Sequence, residues 1–177
     1  MSSGQHQQTI VNHAPRQKDA SLQLNARVVI ADDHDIVREG IRRILTRLRP
    51  NWEICGEAGN GEEFIKLVNA LKPNVVVLDI TMPGISGLEA ARRITELKLG
   101  CRILIFTVHD SDWLRSEIRA AGAHGYVHKS QVARDIVTAI ECLLAGGTFF
   151  SEQASENPTP NSTPESFPKT KKNGNEN

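Results

Sequence analysis

The chain has 177 residues, 21 basic and 21 acidic, with a net charge of +0 at neutral pH, 39% hydrophobic and 5% aromatic residues. That length supports one hydrophobic core of ordinary size, and the balanced charge excludes a strongly basic nucleic-acid surface. No apolar run approaches the roughly 20 residues a membrane helix needs, the polar N-terminus has no secretory apolar region, and three scattered cysteines fit neither a disulfide framework nor a CxxC zinc site. A cytoplasmic chain without membrane association is the expectation.

Residues 1–25 are rich in Gln, His, Asn and Ser without sustained apolar period, and 149–177 carry Pro158, Pro160, Pro164 and Pro168 with few apolar residues. Neither end can bury enough surface to offset its ordering entropy, so both are expected to be disordered tails around one domain, 26–148. Inside it, Arg27–Ala31 is a β-branched run read as a strand ending at Asp32-Asp33. Val37, Ile41, Ile44, Leu45 and Leu48 then fall at helical spacing before Pro50. A second strand, 52–58, leads to a helix over 62–71, stopped before Pro73. Val75–Leu78 is continuous and apolar, as expected of a strand covered on both faces. The turn residues Pro83, Gly84 and Gly87 precede a helix over 88–98, and Arg102–Thr107 is a fourth strand. A helix over 112–121, a short strand over 125–127 and a helix over 131–145, ending at Gly146-Gly147, complete the pattern. Five strands alternating with five helices predict an α/β fold, a five-stranded parallel sheet with helices on both faces.

In such sheets, functional residues gather at the carboxyl ends of the strands. The residues at those ends are Asp32 and Asp33, Asp79, Thr107 and Lys129. Carboxylates packed together repel one another and call for a cation, and a hard divalent ion such as Mg²⁺ suits a site of few oxygen ligands. Lys129 and Thr107 would neutralise and hydrogen-bond the oxygens of a phosphoryl group. An Asp carboxylate can serve as nucleophile and form an aspartyl phosphate.

Asp32-Asp33 after the first strand, Asp79-Ile-Thr-Met-Pro-Gly84, Thr107 and Gly125-Tyr-Val-His-Lys129, in this order and spacing, resemble the receiver domain of bacterial two-component response regulators. DDHDIVREGIRRIL and ECLLAGGTFF are similar to its NarL/FixJ branch. The resemblance covers roughly 26–148 and implies the flavodoxin-like, CheY-like sheet. It also implies a phospho-accepting signalling module rather than a turnover enzyme, assisting only its own phosphorylation and dephosphorylation. Asp79 would accept the phosphoryl group from a histidine kinase, a phosphotransfer protein or a small phosphodonor. Asp33, Asp79 and the Thr81 carbonyl would bind Mg²⁺, with Asp32 acting mainly through water. Lys129 would pair with phosphoryl oxygens, Thr107 would move to meet them, and the Tyr126 rotamer would follow Thr107. The output would be a switched contact with a protein target, and pairing into a homodimer is compatible with the pattern.

Two departures stand out. Asp35 occupies a position where this branch often has proline. After residue 150 no helical apolar pattern suggests a DNA-binding domain, so direct DNA binding is not expected. The rival readings are a receiver remnant of a DNA-binding transcription regulator and a phosphate-independent pseudo-receiver. Against the second, the acidic pair, acceptor and lysine are all present. Bland alternatives attend single residues: Asp33 as a helix cap, Tyr126 as a core aromatic, His109 as a solvent-facing loop histidine, and the arginines of the first helix as a solvated face. The scattered histidines show no metal-ligand spacing.

Overall fold

The computed structural model describes residues 25–150. Six strands form one sheet: β1 (Arg27–Ala31), β2 (Glu53–Ala58), β3 (Val75–Leu78), β4 (Arg102–Thr107), β5 (Gly125–His128) and β6 (Phe149–Phe150). They run in the order β2-β1-β3-β4-β5-β6, every neighbouring pair parallel. Between them lie α1 (Asp35–Leu48), α2 (Gly61–Leu71), α3 (Gly87–Glu96), α4 (Asp112–Ala120) and α5 (Val132–Leu144), with a 3-10 turn at Lys129–Gln131. The expected tails lie outside the described residues except for Asn25 and Phe149-Phe150. No helix among the described residues is long and apolar enough to cross a membrane.

The core sits in two layers because β-strand side chains alternate faces. On one face Val29, Ala31, Val76, Leu78, Ile103 and Ile105 pack against Phe64 and Val68 of α2, Ala90 and Ile94 of α3, and Ile118 of α4. On the other, Val28, Ile30, Val75, Val77, Leu104 and Phe106 meet Ile41 and Leu45 of α1 and Ile136, Ile140 and Leu143 of α5. Each large apolar side chain buried this way contributes roughly 1.5–3 kcal/mol. Val75–Leu78 is wholly buried, as its unbroken apolar run predicts.

The alternating α/β fold agrees with the sequence reading, but the sheet has six strands instead of five. The extra strand is two residues long, with Phe149 beside Gly125 and Phe150 beside Tyr126. Two residues carry no readable period; the strand forms because the β5 edge needs backbone partners, as in Phe149 N–H donating to the His124 carbonyl at 3.1 Å. Helix α3 stops at Glu96, short of the expected Lys98, which takes a left-handed φ of 50°.

Parallel strands place all their carboxyl ends on one edge. There the caps start the helices: Asn60, Ser86 and Ser111 each accept a backbone N–H from three residues on. The Gly-rich stretch 56–61 therefore serves as a strand end and a helix cap.

Candidate phospho-acceptor site

Asp32, Asp79, Thr107 and Lys129 meet at this edge. Asp32 directly follows β1 and is fully buried; Asp79 directly follows β3 and is 2% exposed; Thr107 ends β4 and is fully buried. Lys129, just past β5, reaches across the sheet so that Nζ lies 2.5 Å from Asp32 Oδ2 and 3.0 Å from Asp79 Oδ2. Both carboxylates are thus fixed by one ammonium, whose charge they need because burial without a partner is costly. Asp79 Oδ1 accepts the Ile80 N–H at 2.8 Å, leaving the carboxyl group anchored at both oxygens.

Burial pushes the Asp79 carboxyl pKa up; Lys129 opposes the rise, and the nearby Asp32 charge adds to it. For Lys129, burial pulls the pKa down, but hydrogen bonds and charge from Asp32 and Asp79 outweigh it and the net direction is up. The pair is ionic and tightly held: an ammonium that stays charged beside a carboxylate whose negative charge is under-solvated. A carboxylate short of solvation is a more reactive nucleophile, and a second cation nearby would be welcomed.

Asp33 lies at the mouth of the site with His34, whose Nδ1 is 2.8 Å from Asp33 Oδ1 and 3.2 Å from Asp32 Oδ1. Asp32, Asp33 and His34 place one ligand atom each within 4.8 Å of one another, which makes them a candidate metal-coordinating cluster. Asp79 is not part of this compact group; it joins Asp32 through Lys129. The carboxylate oxygens of Asp32, Asp33 and Asp79 are hard ligands of the kind Mg²⁺ takes, so the chemistry of these side chains fits that ion. His34 escaped the sequence reading, which looked for histidines paired at ligand spacing and not for one beside an acidic pair.

Thr107 Oγ1 accepts the His109 N–H at 3.2 Å. Tyr126 is 1% exposed, and its hydroxyl donates to the His109 carbonyl at 3.3 Å. Burial and the Asp110 charge, opposed by Arg115, push its phenol up to about 12. His109 itself is exposed, and its part is played by its backbone. The exposed Asp35 carboxylate pairs with Arg38 Nη2 at 2.5 Å. Arg38 in turn donates to the Asp32 carbonyl at 2.6 Å and to Glu57 at 3.3 Å. Arg42 also pairs with Glu57, Arg43 with Glu39 and Arg49 with Glu141, so much of the basic face of α1 is neutralised in place.

Residues 28–141, more than half of the chain, match the family model described as the response regulator receiver domain. The response regulator GacA of Pseudomonas aeruginosa is 37% identical over 130 residues, covering 73% of this chain and 60% of that protein. The chain therefore spans about 60% of the length of that curated relative. Among solved structures, a LuxR-family two-component response regulator from Aurantimonas sp. is 42% identical with a TM-score of 0.67, covering 71% of this chain and 89% of that one. The signal receiver domain of the putative regulator NarL from Mycobacterium tuberculosis is 33% identical with a TM-score of 0.66, covering 69% and 98%.

Proposed function

Because the chain belongs to the response regulator receiver family, a family of phospho-accepting modules rather than turnover enzymes, we propose that Asp79 takes a phosphoryl group from a histidine kinase, a phosphotransfer protein or a small phosphodonor. The observation that carries this reading is the buried Asp79 carboxylate, held at both oxygens beside Lys129 Nζ at 3.0 Å. A carboxylate oxygen of Asp79 forms the new P–O bond while the donor's bond to phosphorus breaks and its electron pair leaves with the donor. Lys129 then faces a phosphoryl oxygen as well as Asp32, and stabilises the charge developing there.

Asp33, Asp79 and the Thr81 carbonyl would hold Mg²⁺ directly, with Asp32 acting through water. When bound, the ion neutralises the charge that accumulates between carboxylates and phosphoryl oxygens. Thr107 offers its hydroxyl hydrogen to a phosphoryl oxygen, since Oγ1 already accepts from the His109 N–H. Movement of Thr107 carries the segment after β4, and Tyr126 follows through its hydrogen bond to the His109 carbonyl. The output is a changed protein-binding surface around α4 and β5, a shift between two populated states. The receiver domain covers 26–148 together with the β6 residues Phe149-Phe150, and it works in the cytoplasm.

Intact mass after incubation with Mg²⁺ and acetyl phosphate tests this, with Asp79→Asn and an EDTA-treated sample beside it. One phosphoryl group gained by the wild type alone, and lost with EDTA, supports the acceptor and the ion together. No gain from acetyl phosphate or from any member of a histidine-kinase panel would make the chain a phosphate-independent interaction module. A second reading, control of DNA by a longer form of the protein, draws on the curated relative extending beyond the matched segment; promoter binding in a gel shift at physiological salt would favour it.

A further inference from the structure

The loop between β4 and α4, residues 108–111, begins just after Thr107, and its first two side chains do little to hold it. Val108 is 57% exposed and His109 is exposed as well. Its far end is held by the Asp110 carboxylate, paired through both oxygens with Arg115 of α4 at 2.8 Å; its near end is held by its backbone, gripped from β5. Tyr126 donates to the His109 carbonyl at 3.3 Å, and His128, on the same face of β5 two residues on, has Nε2 2.8 Å from the Val108 carbonyl. His128 Nδ1 accepts the Ser130 N–H at 3.2 Å and lies 2.7 Å from Ser130 Oγ. That acceptance assigns the ring proton to Nε2, which therefore donates to Val108. One imidazole thus bridges two elements of the site. Its Nδ1 caps the 3-10 turn that begins at Lys129, and its Nε2 holds the loop that begins just after Thr107.

We propose that His128 is a positioning residue: its Nε2–H, bonded to the Val108 carbonyl, sets the loop after Thr107 at a fixed distance from the Lys129 turn. This rests on the reading of Asp79 as phospho-acceptor for its consequence, and on the geometry alone for the tether. Tyr126 and His128 make a two-point clamp on consecutive carbonyls at the near end of the loop. With the tether gone, Thr107 meets a phosphoryl oxygen in a smaller fraction of molecules.

Two variants separate the halves of the bridge. In His128→Asn the amide oxygen replaces the Nδ1 acceptor and keeps the cap, but nothing reaches Val108. In His128→Gln the longer amide places a donor where Nε2 stood and keeps the tether. Amide hydrogen exchange over 107–112 in the unmodified full chain should be about three- to ten-fold faster for His128→Asn, the range expected from one lost hydrogen bond. His128→Gln should return it most of the way to wild type. The initial rate of phosphoryl gain from acetyl phosphate should fall several-fold in His128→Asn and recover in His128→Gln. Unchanged exchange in His128→Asn, or equal loosening in both variants, overturns the tether. A loosened loop with a wild-type phosphorylation rate overturns the positioning role while leaving Asp79 as acceptor. The exchange pattern with no phosphoryl gain by the wild type from acetyl phosphate or from any kinase of the panel keeps the tether and removes the proposed function.

Discussion

Gly87 opens α3 directly behind the proposed acceptor, and replacing it with alanine is the sharpest perturbation the fold offers. A Cβ there would stand 2.8 Å from the Asp79 carbonyl carbon and 2.8 Å from Ile80 Cα, and would overlap the Asp79 carbonyl oxygen. Carbon atoms pack comfortably at about 3.5–4.0 Å, so either the start of α3 or the Asp79-Ile80 peptide has to move by about 1 Å. The obstacle is backbone, which has no rotamer to escape into. Such a shift also stretches the Gly87 N–H bond to the Ile80 carbonyl, now 2.9 Å. Overpacking of this kind costs about 1–3 kcal/mol, less a few tenths recovered from alanine's better helix propensity. With a urea dependence of about 1–3 kcal/mol per molar, the unfolding midpoint should drop by about 1 M. Displacing the carboxylate by about 1 Å should slow phosphoryl gain by about 100-fold. Gly40, inside α1, has nothing within 4 Å of its would-be Cβ. Gly40→Ala should therefore stabilise by about 0.5–1 kcal/mol and leave phosphorylation unchanged. A Gly87→Ala protein that matched wild type in both midpoint and phosphorylation rate would refute the packing argument.

Further predictions concern the charges. Lys129→Ala leaves buried Asp32 and Asp79 without their shared cation and should cost about 3 kcal/mol in urea unfolding, with part of the loss restored by Mg²⁺; a midpoint near wild type without Mg²⁺ would contradict this. Because burial raises the Asp79 pKa, the stability it contributes is full below the ordinary carboxylate range and is lost as pH rises through its raised folded value. The wild type should therefore gain stability relative to Asp79→Asn as pH falls from neutrality toward the ordinary carboxylate range, and an offset that does not change with pH would disprove the shift. The chain has a single tyrosine, so absorbance at alkaline pH reports Tyr126 alone, with an expected midpoint of about 12. Its stabilising effect is full below the ordinary value near 10 and fades as pH rises through the folded one. Ionisation near 10 while circular dichroism is still native would mean the ring is not buried.

Much of the fold was legible because its signals are local. Val75–Leu78 and Arg102–Thr107 have the same limits in sequence pattern and structure, since an unbroken apolar run between turn residues has few other uses. Alternation of strand and helix also foretold that Asp32, Asp79, Thr107 and Lys129 would share an edge, because parallel strands leave no other arrangement. Helix α1 was readable as a stripe of apolar residues, but its arginines were not readable as partners. Glu57, which takes Arg38 and Arg42, comes from β2.

The chain order alone thus determined the sheet, its layers and the group of residues at its carboxyl edge, since period and spacing are properties of neighbours along the chain. Only the tertiary structure decided which of those residues touch. Lys129 chooses Asp32 at a separation of 97 residues, His34 closes on the acidic pair, and Asp35 pairs with Arg38. His128 ties two loops, and Phe149-Phe150 add a sixth strand. These contacts depend on rotamers and on hydrogen-bonding groups that find partners only once the sheet has brought them together, so no local pattern in the sequence announces them.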